Sequence, residues 1–315
     1  MVMLLHSGFQ VFGWPEHWSD TTFGLILLES FCIIGVNVFV LITGYFSTKP
    51  KLHSLCNLFY ICIFYELILL VMDLCIGHSV TFSRLFLITR SNWFIPTYLG
   101  LVLFAPIINA FCEKTTKLRL GCMITILLSY ETYMGFFPAM PQIAVGFQYG
   151  CSVLSFIILY LIGRYIFIFG LPRLIIKNSL FIYIFCSLVI AIAESSVLSF
   201  GYGHITWLIY AYNNPLVILS SISFFVFFTR IEIKQNNVIN HISKSVLAVL
   251  LVHASGSVVR FINPQYVCAF DRYSGIQLMI IWISLIIIIF FSTVFVDQIR
   301  LWTYKLLSIL LLRNN

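Results

Sequence analysis

The chain has 315 residues, 61% of them hydrophobic and only 9% charged, with Lys and Arg outnumbering Asp and Glu 18 to 11 for a formal net charge of +7. A mean hydropathy of +1.02 lies well outside the range of soluble domains and excludes a water-soluble enzyme. The basic residues stand in short clusters between apolar runs, which fits membrane topology and argues against a nucleic-acid partner.

Residues 1–8, MVMLLHSG, are an apolar fragment too short to span a bilayer, which takes about 20 helical residues. Residues 9–22 follow as a loop whose Trp14, Pro15, Glu16, Trp18 and Asp20 suit a membrane interface. Apolar runs then predict spans over 23–46, 55–76, 92–112, 118–137, 143–163, 179–200, 204–228, 244–262 and 275–297. The expected fold is all-α: a polytopic transmembrane helical bundle of nine full spans plus an N-terminal partial helix, with residues 1–315 as one integral-membrane domain. The tail 298–315 alternates Arg300, Lys305 and Arg313 with apolar residues and reads as an interfacial helix or a cytoplasmic extension of the last span.

Loop charges orient these spans. Alternate loops assigned to the cytoplasm collect fourteen of the 18 Lys and Arg residues, among them Lys49, Lys51, Arg164 and Arg230, and leave Arg84, Arg90, Arg260 and Arg272 outside. The nine cysteines lie mostly in apolar runs without a CxxC pair and read as small hydrophobes. No HxxxH or HExxH spacing points to a metal site.

Polar side chains at membrane depth are the candidates for function, since burying them is costly unless they are paired or wet. Glu29, Asn37, Glu66, Glu131, Glu194, Asn213, Asn214 and His253 are such residues. Glu29, Glu131 and Glu194 sit toward the outer ends of their spans, within expected reach of water. Asn213, Asn214 and Pro215 fall inside the 204–228 run, where proline bends a helix and amides satisfy freed carbonyls.

The run IIGVNVFVLITGYFSTKP, ending at Pro50, resembles the second-helix signature of the membrane-bound acyltransferase family 3. WFIPTYLGLVLFAPIIN from Trp93 to Asn109, FIILYLIGRYI around Arg164, YNNPLVILSSISFFVFF and KSVLAVLLVHASGSVVR resemble further helices of that family in the same order. Its members have ten helices and move an acetyl group from acetyl-CoA to a hydroxyl of a cell-surface carbohydrate. The likeness is to those that modify bacterial capsule, lipopolysaccharide or exopolysaccharide. It implies a multi-pass protein of the bacterial inner membrane, with acetyl-CoA as substrate and no bound cofactor.

In the family's first helix an Arg stands about ten residues before a His that acts in catalysis. His6 aligns with that His, whereas the Arg would fall before Met1. The expectation is either a start upstream of Met1 or a truncated, inactive paralogue. Thr43 replaces the family's Ser and keeps the hydroxyl, and Tyr98 stands where some relatives carry an acid.

The resemblance points to His6 as the base that removes a proton from the acceptor hydroxyl; Asn37, the second expected catalytic residue, or Tyr45 would supply a donor for the oxyanion. Tyr45, Lys49 and Arg164 are expected to hold acetyl-CoA, whose phosphates need cations at the inner face. Trp93, Tyr98, Glu66 and His253 are expected to line the site for a surface glycan or lipid-linked sugar. A transporter or flippase for a lipid-linked glycan is the competing expectation, since kinked helices and intramembrane carboxylates also suit transport.

Overall fold

The structure, a computed structural model, describes residues 1–77, 93–136, 147–232 and 234–313. All regular secondary structure among them is helical. In chain order the helices are α1 (Val2–His6), α2 (Phe9–Phe12), α3 (Phe23–Cys32), α4 (Gly35–Tyr45), α5 (Leu52–Ile76), α6 (Phe94–Lys114) and α7 (Lys117–Phe136). There follow α8 (Val153–Phe169), α9 (Arg173–Ser199), α10 (Thr206–Ile209), α11 (Pro215–Thr229), α12 (Asn237–Ser243), α13 (Val246–His253), α14 (Gly256–Arg272) and α15 (Gly275–Arg313).

Among the described residues, five segments are long and apolar enough to cross a membrane: Phe23–Tyr45, Leu52–Ile76, Phe94–Lys114, Arg173–Ser199 and Gly275–Leu307. The pair α13 and α14, bent by 77°, makes a sixth if counted as one span. Val2–Phe12, Val153–Phe169 and Pro215–Thr229 are apolar but shorter.

Several boundaries differ from expectation, each for a local reason. The predicted span 143–163 begins in residues outside the described set, and α8 starts only at Val153, where the Ser152 hydroxyl accepts from the Ser155 N–H at 3.1 Å. The predicted span 204–228 is not one kinked helix. Residues 210–214 break it, Asn214 caps the new helix by accepting from Leu216 N–H at 2.9 Å, and Pro215 takes the first helical position, where its missing N–H costs nothing. The tail joins the last span as one unbroken helix, α15.

Packing divides the chain into two compact units, Met1–Pro50 with Phe94–Glu232, and Lys51–Trp93 with Ile233–Asn315. In unit one, α8 is the core. Ser155, Phe156 and every residue from Ile158 to Arg164 are buried, the mark of a helix enclosed on all sides. It packs against α4, α6 and α7, while α9 packs on α3 and α11.

The α4–α8 contact depends on two glycines. A β-carbon on Gly44 would strike the Tyr160 backbone, with Cα only 2.8 Å away, and one on Gly163 would strike the Leu41 carbonyl and lie 2.8 Å from the Tyr45 nitrogen. The Gly-Tyr pair of the signature run thus brings two backbones into direct contact. Next to it, Thr43 donates to Phe39 O at 2.9 Å and shares a hydrogen bond with the Tyr98 hydroxyl, the work that requires a hydroxyl at that position.

Unit two is built from α5, α13, α14 and α15. Asp297 and Arg300, fully buried, form a two-pronged ion pair, Nε to Oδ1 at 2.6 Å and Nη2 to Oδ2 at 2.9 Å. Tyr65 donates to Asp297 Oδ1 at 2.9 Å, and Arg300 Nη1 reaches Asn57 Oδ1 at 3.2 Å, so α5 satisfies what the pair leaves over.

Candidate functional site

The polar groups of unit one gather at two levels. At the first, the chain leaving α4 turns through Ser47, whose backbone is left-handed (φ 54°). Asn109 of α6 donates to Thr48 O at 3.2 Å and accepts from the Tyr160 hydroxyl at 2.8 Å, while the Ser47 hydroxyl also bonds Tyr160. One turn beyond Tyr160 lies Arg164, 4% exposed, its guanidinium 5.3 Å from the centroid of Phe167. Tyr45 packs edge-on against Phe167 and Phe225 at 5.2 and 5.3 Å. Cys112 and Tyr160 feel the guanidinium charge, yet Arg164 Nε and Nη1 have no hydrogen-bond partner among the described residues. A buried cation costs several kcal/mol, roughly, unless an opposite charge meets it. The Phe167 ring is the contact that this cation has beside its two unpartnered nitrogens.

The second level is rich in acceptors. Glu29, Glu131 and Glu194 are all buried, contrary to the expectation that water reaches them. Glu29 Oε1 accepts from Phe9 N–H at 2.6 Å, because α1 and α2 fold back over α3 and cover it. Glu131 bonds Ser155, and Glu194 accepts from Thr206 at 2.9 Å with Oε2 unpartnered. Asn37 donates to Tyr212 O at 2.8 Å and Asn213 to Phe147 O at 2.9 Å; the Oδ1 atom of each has no partner among the described residues. The two amides fix the 210–214 break and turn their acceptor atoms elsewhere.

The predicted residues separate accordingly. Tyr45 and Arg164 share the first level. Lys49 lies exposed in the chain after α4. Asn37 belongs to the second. His6, half-buried at the end of α1, lies between Val2, which touches the Gly35 position, and Phe9, which bonds Glu29. Gly35 and Gly44 are nine positions apart on α4, about 13 Å. Tyr98 stacks on Phe94 at 5.6 Å and packs against Phe39, a wall of the α4–α6 contact.

Trp93, Glu66 and His253 fall in unit two. Trp93 is exposed, Glu66 is buried one turn from Cys62, and His253 ends α13 with Nδ1 2.5 Å from Val249 O. Sequence reasoning missed Asn109, Tyr160, Asp73 and Asp297. Asn109 carried the same signal as Asn37, an amide inside an apolar run. The two aspartates lie near span ends, where charge reads as ordinary interface; yet Asp73 is buried and accepts from Ser257 at 2.6 Å.

Comparison with known proteins finds no matching family model, no similar curated protein and no similar solved structure. The class is defined by the chain itself: an all-helical protein whose several long apolar helices are compatible with a multi-pass integral membrane protein.

Proposed function

We propose that the protein is a membrane-bound O-acyltransferase that moves an acetyl group from acetyl-CoA to a hydroxyl of a bacterial surface carbohydrate. The observation that carries this reading is Arg164, buried with two unpartnered donors beside Asn109 and Tyr160. A coenzyme A phosphate supplies the charge that this guanidinium lacks, and exposed Lys49 adds attraction at the mouth. The axial separation along α4 agrees with such a ligand, since the pantetheine arm keeps the thioester far from the phosphates. His6 then acts as base on the acceptor hydroxyl, contributing about 10² to 10⁴ in rate, while the amide of Asn37 lies on the His6 side of the Gly44 crossing.

Radiolabelled acetyl transfer from acetyl-CoA to membrane glycan tests this reading. Transfer that disappears in His6→Ala and Arg164→Met supports the reading. Acetylation that persists in His6→Ala removes His6 from the mechanism, and no transfer by the intact chain rejects the enzyme.

One observation favours the transport reading. The α13–α14 segment breaks at Ala254–Ser255 with a 77° bend, and the break lies beside His253 and the buried Asp73–Ser257 pair. Discontinuous helices with buried ionisable groups are how transporters build midplane sites. Translocation of a lipid-linked glycan without acetylation would establish it.

A further inference from the structure

We infer that Glu29 is the positioning residue of His6: its carboxyl group latches the turn after α1 onto α3 and so fixes where the imidazole stands. That His6 is the base comes from the acyltransferase reading, on which the catalytic role rests, though the latch itself does not.

The N-terminal segment has little structure of its own to rely on. α1 and α2 have five and four residues, far below the roughly 12 at which an isolated helix becomes stable. Their places are therefore set by what they touch. Between them Ser7, Gly8 and Phe9 are all buried, and Phe9 N–H donates to Glu29 Oε1 at 2.6 Å, across twenty residues of chain. The approach is close: a β-carbon on Gly8 would lie 2.5 Å from the same oxygen, so glycine is what lets the turn settle on the carboxyl group.

Apolar contacts flank this bond. A β-carbon on Gly35 would lie 2.8 Å from Val2 Cγ2, and the Phe9 ring stands edge-on to Tyr210 at 5.8 Å, whose hydroxyl shares a hydrogen bond with Ser30 at 3.3 Å. Ile26, Glu29 and Ser30, three and four positions apart, form one buried stripe of α3 under the turn. Packing of this kind tolerates sliding, whereas the bond to Glu29 fixes one atom. Glu29 and Phe9 are both 1% exposed, so water does not replace the bond when it is broken. His6 is two residues before Gly8 and ends α1, so any shift of the turn carries it along.

The latch needs an acceptor oxygen and not a charge. Glu194 of α9 is near enough to Glu29 for the two carboxyl groups to repel if both ionise. Glutamine, with a carbonyl oxygen in the same place, serves Phe9 N–H equally well. A proton carrier, in contrast, cannot be replaced by glutamine.

The test uses the full chain in lipid nanodiscs, with Tm recorded for each sample. In Glu29→Leu, which keeps the bulk and removes the acceptor, modification of His6 by diethyl pyrocarbonate, located by mass spectrometry, is expected to quicken severalfold. The kcat for acetyl transfer should fall about 10²-fold, as for a base displaced by an ångström. KM for acetyl-CoA should stay unchanged, because the Arg164 level lies about 13 Å away along α4. Glu29→Gln should match the parent in all three. Gly8→Ala should act like Glu29→Leu in the parent and add nothing in Glu29→Ala, where the space is open; this pair decides alone if Glu29→Leu does not fold. Impairment of Glu29→Gln equal to that of Glu29→Leu, unchanged labelling in Glu29→Leu, or an equal effect of Gly8→Ala in both backgrounds overturns the latch. Faster labelling of His6 in a chain whose parent transfers no acetyl group leaves the latch standing and rejects the acyltransferase reading, whereas faster labelling with kcat intact overturns the positioning role.

Discussion

Arg300 in unit two and Arg164 in unit one are equally hidden, 1% and 4% exposed, and differ in company. Arg300 is held by both oxygens of Asp297, by Asn57 and, through Asp297, by Tyr65. Arg164 has an aromatic ring, a thiol and a phenol nearby, and two nitrogens without a hydrogen-bond partner among the described residues. A satisfied buried ion pair locks helices together, whereas an unpaired buried charge is a cost to the fold, which the proposed anionic donor would relieve. The same residue type is therefore structural in one unit and a binding candidate in the other.

The largest effect expected from breaking this comparison is on the satisfied side. Asp297→Ala strands a buried guanidinium and should cost about 3–5 kcal/mol, seen as a large drop in Tm in detergent, with much of it recovered in the double variant Asp297→Leu/Arg300→Met. A single variant as stable as the parent would erase the distinction between the two arginines. Next comes the contact that positions Arg164. Gly163→Ala forces α8 away from Leu41 and Tyr45 and should cost about 1–3 kcal/mol, as overpacking does, again read from Tm.

A smaller effect is expected at Thr43. Thr43→Val removes the hydroxyl shared by Phe39 O and Tyr98 and should cost about 1 kcal/mol, while Thr43→Ser stays near the parent. Smallest of all on stability is Arg164→Met, which replaces an unpaired buried charge with an apolar side chain of similar length. Its Tm should match or exceed the parent's.

Much of this was legible in the sequence, and the failures have physical causes. Hydropathy located α3–α4, α5, α6, α9 and α15, because a helix enclosed by lipid or protein is apolar on every side. It blurred the 204–228 run, where Tyr210 and Ala211 are as apolar as a helix interior and only the Asn214–Pro215 pair signals a fresh start. Arg164 reads in the sequence as a loop cation just past the 143–163 span, whereas the helix runs on to Phe169 and buries it, a three-dimensional fact. Glu29 looked accessible from its place near a span end, and only the return of α1 and α2 across α3 buries it. Asn109 acquires meaning once Tyr160 and Thr48, far away in the chain, are brought to it.

The central claim is that Arg164 is kept unpaired to receive an anionic acyl donor. Isothermal titration of acetyl-CoA into the purified protein and into Arg164→Met tests it most directly, with Tm recorded on the same samples. The account predicts affinity weakened at least tenfold in a variant that is no less stable. Unchanged affinity, or a loss of stability as large as that of Asp297→Ala, would contradict it and make Arg164 a structural residue like Arg300.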